Sequence, residues 1–156
     1  MPRNYNREEA IAKLKNLCRR KEVSQRQAIE KFREFGFSYK EAEEMVHELV
    51  INDFVDDTRY ASAYIHDKLV LSKWGRIKIN QKLYEAGITK QTTNFAWKRF
   101  DDDFYREILK ETIDLYYPKY MPNNSWEEGQ KFLKFLLNRG FENALCIEEL
   151  NHKTNK

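Results

Sequence analysis

Phe32-Arg33-Glu34-Phe35-Gly36-Phe37-Ser38, Leu83-Tyr84-Glu85-Ala86-Gly87-Ile88-Thr89 and Leu136-Leu137-Asn138-Arg139-Gly140-Phe141-Glu142 bring three stretches of the chain to the same kind of end. Each has an apolar residue four positions before a glycine, a bulky apolar residue directly after it, and then a residue able to open a helix. A helix–glycine–helix corner requires this order. The glycine enters the left-handed region that stops one helix, the polar residue caps the next, and the apolar residue between them plugs the corner. The glycines are spaced by 51 and 53 residues, too long for one helix pair and suited to three helices of ordinary length. The reading is all-α: three tandem three-helix repeats, 1–53, 54–100 and 101–156, forming an elongated, curved array.

Local signals divide each repeat. Ser24-Gln25-Arg26-Gln27, Ser38-Tyr39-Lys40-Glu41 and Ser125-Trp126-Glu127-Glu128 read as capping boxes, placing helices near 7–21, 24–35 and 38–52, then 56–72, 75–86 and 89–100, then 102–117, 125–139 and 141–150. Tyr117-Pro118 through Pro122-Asn123-Asn124 reads as a loop. Helical spacing puts Leu14, Leu17 and Cys18 on one face, Met45, Val46 and Leu49 on another, and Trp126, Leu133 and Leu137 on a third with Phe132 and Leu136 beside them.

Composition agrees with a thin, extended core: 34% of residues are charged against 41% hydrophobic, and only five Gly and three Pro interrupt helix-forming sequence. No apolar run approaches the roughly 20 residues needed to span a bilayer, and Met1-Pro2-Arg3-Asn4 opens no secretory segment, so a cytoplasmic protein without membrane contact is expected. Cys18 and Cys146 lack the spacing of a disulfide framework or zinc site and are expected to pack as small apolar side chains. The net charge of +3 conceals alternating blocks: +6 over residues 1–40, −7 over 41–67, +7 over 68–100 and −3 over 101–156. Charge patches on separate helices imply charged partners.

Phe54-Val55-Asp56-Asp57-Thr58-Arg59-Tyr60-Ala61, then Lys73-Trp74-Gly75-Arg76-Ile77-Lys78-Ile79, then Leu83 and Gly87-Ile88 resemble the signature of the bacterial RecX family. There an apolar pair, two acids, an arginine and an aromatic–alanine pair open the middle repeat, and a Lys–Gly turn with basic residues leads into its second helix. The resemblance covers roughly residues 8–100, with the third repeat a looser fit. It departs at Trp74, which separates Lys73 from Gly75. The resemblance implies a modulator of the RecA recombinase, built of tandem three-helix repeats, that inhibits ATP hydrolysis, strand exchange and filament growth. A cytoplasmic monomer without a cofactor, bound to the RecA filament and its DNA and acting in DNA repair, recombination and the SOS response, is the accompanying expectation.

Lys68, Lys73, Trp74, Arg76, Lys78 and Lys82 are the candidates for contact with phosphate or an acidic partner, because residues 68–100 hold a single acid, Glu85. A solvated basic face is the alternative. Trp74 reads either as a base-stacking or hot-spot residue or as a plug between helices. Asp56, Asp57 and Arg59 read either as partner contacts or as local structure, with the acids at a helix start and Arg59 pairing with Asp56 three residues back. Asp101-Asp102-Asp103 invites the same capping explanation. The three histidines stand in no motif with Cys or Ser, and there is no Gly-rich phosphate loop or nucleophile elbow, so neither catalytic residue nor metal ligand is named and the chain is expected not to be an enzyme. Two other readings remain open: a stand-alone helical nucleic-acid-binding module, and a metal-dependent nuclease using Asp56 and Asp57.

Overall fold

The structure is a computed structural model and describes residues 4–155; Met1, Pro2 and Arg3 of the N-terminal reading lie outside the described residues. Among the described residues there are nine helices and no strand: α1 (Arg7–Arg20), α2 (Gln25–Glu34), α3 (Tyr39–Ile51), α4 (Asp57–Val70), α5 (Arg76–Glu85), α6 (Lys90–Trp97), α7 (Asp102–Tyr120), α8 (Trp126–Asn138) and α9 (Asn143–Thr154). None of them is long and apolar enough to cross a membrane.

The three glycine corners share one geometry. Gly36, Gly87 and Gly140 have φ of 97°, 87° and 99°. Each glycine N–H reaches the carbonyl three residues back, on Arg33, Tyr84 and Leu137, at 3.0, 3.0 and 2.9 Å. The next N–H reaches the carbonyl five residues back, on Phe32, Leu83 and Leu136, at 3.2, 3.0 and 3.3 Å. This pair of bonds satisfies the carbonyls orphaned at a helix C-terminus. The plugs Phe37, Ile88 and Phe141 are all buried. Ser38 and Thr89 cap the following helices, whereas Glu142 makes no capping bond. The Ser24, Ser38 and Ser125 capping boxes are all closed, and Asn6 with Glu9 adds another.

Two segments differ from the sequence reading. The expected loop at Tyr117–Pro118 is helical, because α7 continues through Pro118 to Tyr120. Its last turns carry Tyr116, Tyr117 and Tyr120, which lie on Phe132 and Phe135 of α8, with Tyr120 stacked on Phe132 at 5.1 Å between centroids. Aromatic packing thus holds the turn that proline's missing donor weakens. On α8 the expected face is rotated: Phe132 and Leu136 are fully buried, while Trp126 is 74% exposed and Leu137 is exposed.

Burial is organised around two cores. One joins buried residues from Ala10 to Val55, and the other joins residues from Ala61 to Leu150. Helices α4–α9 therefore share one interior, and the reason lies at Gly75. A Cβ there would stand 2.3 Å from Gly140 C and Phe141 N. Two backbones cross where only glycine fits, and Gly75 N–H donates to Arg139 O at 2.7 Å and Ile77 N–H to Gly140 O at 3.0 Å. With Arg76 N–H donating to the Tyr105 hydroxyl at 2.8 Å, the first amides of α5 are satisfied by α7 and the α8–α9 corner.

Candidate nucleic-acid interface

On α4, Ala61, Ile65 and Leu69 are buried at helical spacing, which leaves Tyr60, Tyr64 and Lys68 along the neighbouring stripe. Tyr60 and Tyr64 stack at 6.2 Å. On α5, Ile79 and Leu83 are buried and Lys78 and Lys82 lie beside them. The turn between these helices brings the two stripes together. Lys73 takes φ of 53° and Trp74 N–H returns to Lys68 O at 2.9 Å. Both Lys68 and Lys78 lie over the Trp74 indole, with their Nζ atoms 4.7 and 4.2 Å from the ring. Trp74 also packs against the larger core. Its two readings therefore merge: it plugs the turn, and it gathers two ammonium groups by cation–π attraction.

Arg139 completes the cluster and was not named from the sequence. Its Nε donates to Lys73 O at 3.0 Å and its Nη2 to Ser72 O, which fixes the guanidinium beneath the turn. Partial burial, then the charges of Arg139, Lys82 and Lys68, hold the Lys78 ammonium below the usual lysine range. Among the described residues neither Lys68 nor Lys78 has an ion-pair partner. The signal for Arg139 was its place directly before the third corner glycine, but only the crossing at Gly75 shows that this corner lies under the second repeat.

The other basic candidates turn away. Lys73 reaches Glu111 of α7 at 3.3 Å. Arg76 pairs with Glu142 at 3.0 Å and lies over the Trp97 and Tyr105 rings at 4.8 and 4.4 Å. Tyr105 donates to the same Glu142, and burial, the first cause, pushes its hydroxyl well above the usual tyrosine range. Glu142 is thus committed to this inner network, which explains its failure to cap α9. Lys82 stays at the edge of the cluster, 3.7 Å from Glu85.

Asp56, Asp57 and Arg59 lie at the other end of α4, roughly 14–18 Å from Lys68 at 1.5 Å per residue. Asp56 caps α4 by accepting from Thr58 N and Arg59 N at 2.8 and 3.2 Å. The side chain of Arg59 does not pair with Asp56 as expected. It meets Glu22 at 3.0 Å and Asp53 at 3.7 Å, because the Asp56 carboxylate is taken up by the backbone. Asp57 accepts from Gln25 N at 2.8 Å. Asp101 likewise caps α7 through Phe104 N at 2.7 Å. No group of three or more His, Cys, Asp or Glu able to hold a metal occurs among the described residues.

A family model described as the second three-helix domain of RecX matches residues 56–94, the segment that carries this turn. The chain is 27% identical over 124 residues to the regulatory protein RecX of Finegoldia magna, covering 76% of this chain and 58% of that one. It is 29% identical to that of Caldanaerobacter subterraneus, covering 86% and 66%, and 29% identical to that of Neisseria meningitidis, covering 90% and 88%. The chain thus spans less than two thirds of the length of the first two relatives. In fold it matches the crystal structure of RecX from Lactobacillus salivarius with a TM-score of 0.78 at 18% identity, over 93% of this chain and 97% of that one. A second crystal structure, of a regulatory protein RecX, gives 0.77 at 19% identity, over 89% and 68%. The signature turn, the curated relatives and the helical fold thus agree in one similarity, to RecX proteins.

Proposed function

We propose that this chain is a non-enzymatic, monomeric cytoplasmic regulator that binds the RecA filament and its DNA, and that it inhibits ATP hydrolysis, strand exchange and filament growth by occupying the filament groove. Similarity to RecX proteins supports the recombinase as partner. The observation that carries the DNA contact is the pair of lysines without carboxylates, Lys68 and Lys78, gathered over Trp74 beside Arg139. Like charges crowded at one place favour binding a polyanion, since each phosphate contact releases condensed counter-ions. Residues 1–53, 54–100 and 101–156 act as the three repeats of this regulator, with the second supplying most of the contact. Lys73, Arg76, Asp56, Asp57 and Arg59 contribute by shaping it.

The test is the rate of single-stranded-DNA-dependent ATP hydrolysis by the cognate RecA with and without this protein, beside binding to the same DNA alone. ATPase lost at substoichiometric protein, with weak binding to naked DNA, supports the filament regulator. Tight DNA binding with ATPase lost only once the DNA is coated replaces it with a stand-alone nucleic-acid-binding module. In the Lys68→Glu, Lys78→Glu double variant, the slope of log affinity against log salt is expected to fall by about 1.4 for single-stranded DNA, at roughly 0.7 per contact. An unchanged slope removes these lysines from the interface.

A further inference from the structure

The chain leaves one core and enters the other within a few residues. Val55 is buried in the first and Ala61 in the second, while Asp56 to Tyr60 between them are half-buried. The closely packed helix pairs fall within α1–α3 or within α4–α9. The bonds across the joint are polar. Arg59 Nε is 3.0 Å from Glu22 Oε2, and its Nη2 donates to Phe54 O at 3.3 Å. Gln25 N–H donates to Asp57 at 2.8 Å, and Arg26 Nη1 to Glu85 O at 3.0 Å, with the Arg26 stem lying against Gly87. Both Arg59 and Glu22 are about one-third exposed. The ion pair in this joint, Arg59 with Glu22, is accessible to solvent and is screened by salt, unlike the apolar interiors on either side of it.

We propose that Arg59 is a positioning residue: with Glu22 it forms an electrostatic latch that holds α1–α3 at one angle to α4–α9, pivoting between Val55 and Asp57. The acid–arginine part of the signature then serves the joint between repeats rather than the partner. Resting on the function proposed above, the consequence is that the latch decides whether the basic groups of α1, such as Arg19 and Arg20, and the cluster at Trp74 engage one filament together. Sites linked at a fixed geometry gain effective concentration, which a loose joint dilutes.

The test places nitroxide labels at Glu43→Cys on α3 and Lys134→Cys on α8, both exposed, in the full chain carrying Cys18→Ala, and reads their distance distribution by double electron–electron resonance. The parent is expected to give one narrow distance at low salt that broadens in about 1 M salt, where screening reaches roughly 3 Å. Glu22→Gln, which lies outside α4 and cannot disturb its cap, is expected to broaden it at low salt with unchanged circular dichroism. Adding Arg59→Gln to Glu22→Gln is expected to broaden it no further. A narrow distance in Glu22→Gln, or a parent distribution indifferent to salt, overturns the latch. Filament affinity in Glu22→Gln is expected to fall by about tenfold or more. Undiminished affinity with a broadened distance overturns the functional consequence and leaves the latch standing.

Discussion

Gly75 and Gly129 are both helix-associated glycines, and the structure assigns them opposite roles. At Gly75 a methyl group meets the Gly140 carbonyl carbon at 2.3 Å, a backbone atom that cannot swing aside. At Gly129, within α8, nothing lies within 4 Å. Gly75→Ala is therefore expected to cost about 2–3 kcal/mol, as overpacking does, and Gly129→Ala to gain about 0.5–1 kcal/mol by relieving backbone entropy. Urea midpoints of the two variants check both signs. The sequence marks Gly75 as a turn glycine but holds no sign of the strand of backbone it touches. A second residue-scale prediction concerns the thiols. Burial, then Glu142, pushes the Cys146 thiol up to about 12, whereas Cys18 is only half-buried. Cys18 is expected to react with maleimide first and Cys146 only on unfolding. Because the folded pKa of Cys146 lies above an unfolded value near 8.5, its contribution is intact below that pH and is lost as pH rises toward about 12. Alkaline unfolding should weaken in its pH dependence when Cys146 is replaced by Ala.

Elements were legible where one short-range rule decides them. The glycine corners and serine capping boxes follow from backbone bonds spanning three to five residues, and the sequence contains both partners. The end of α7 and the face of α8 follow from rings that meet across a turn, and there the local rules mislead. Pro118 suggests a break that Tyr116, Tyr117 and Tyr120 prevent. Trp126 suggests a core residue at a site where the core has already been filled by Phe132. Phe132→Ala is thus expected to destabilise by about 3–5 kcal/mol, while Trp126→Ala stays within about 0.5 kcal/mol of the parent. Thermal or chemical unfolding of the pair separates the packed face from the apparent one. The same distinction applies to the candidate interface. Lys68 and Lys78 were visible as part of a basic block, but block counting could not show that Lys73 and Arg76 turn inward to Glu111 and Glu142, or that Arg139 arrives from another corner.

At the scale of the molecule, a repeat of three sequence units is built on two interiors. Nearest-neighbour logic for repeats makes the opening of each unit semi-independent, but helices that share a core open together. Native-state hydrogen exchange is expected to show two sub-global openings, one for the slow amides of α1–α3 and one common to those of α4–α9. Distinct opening free energies for α4–α6 and α7–α9 would contradict the shared interior. The periodicity of the corners conveys how many units there are. It carries no information on which neighbours fuse, because that depends on the backbone crossing and on the network of Arg76, Tyr105 and Glu142.

The crossing at Gly75 also sets an order of events during synthesis. The guanidinium that braces the second repeat's turn stands 66 residues downstream of the carbonyl it binds. On the ribosome, α1–α3 can close as soon as Val55 has emerged, since their interior needs nothing beyond it. The nascent α5 instead has its first amides exposed until the α8–α9 corner leaves the exit tunnel, so the segment that matches the second three-helix domain of RecX is among the last parts of the molecule to reach its final form.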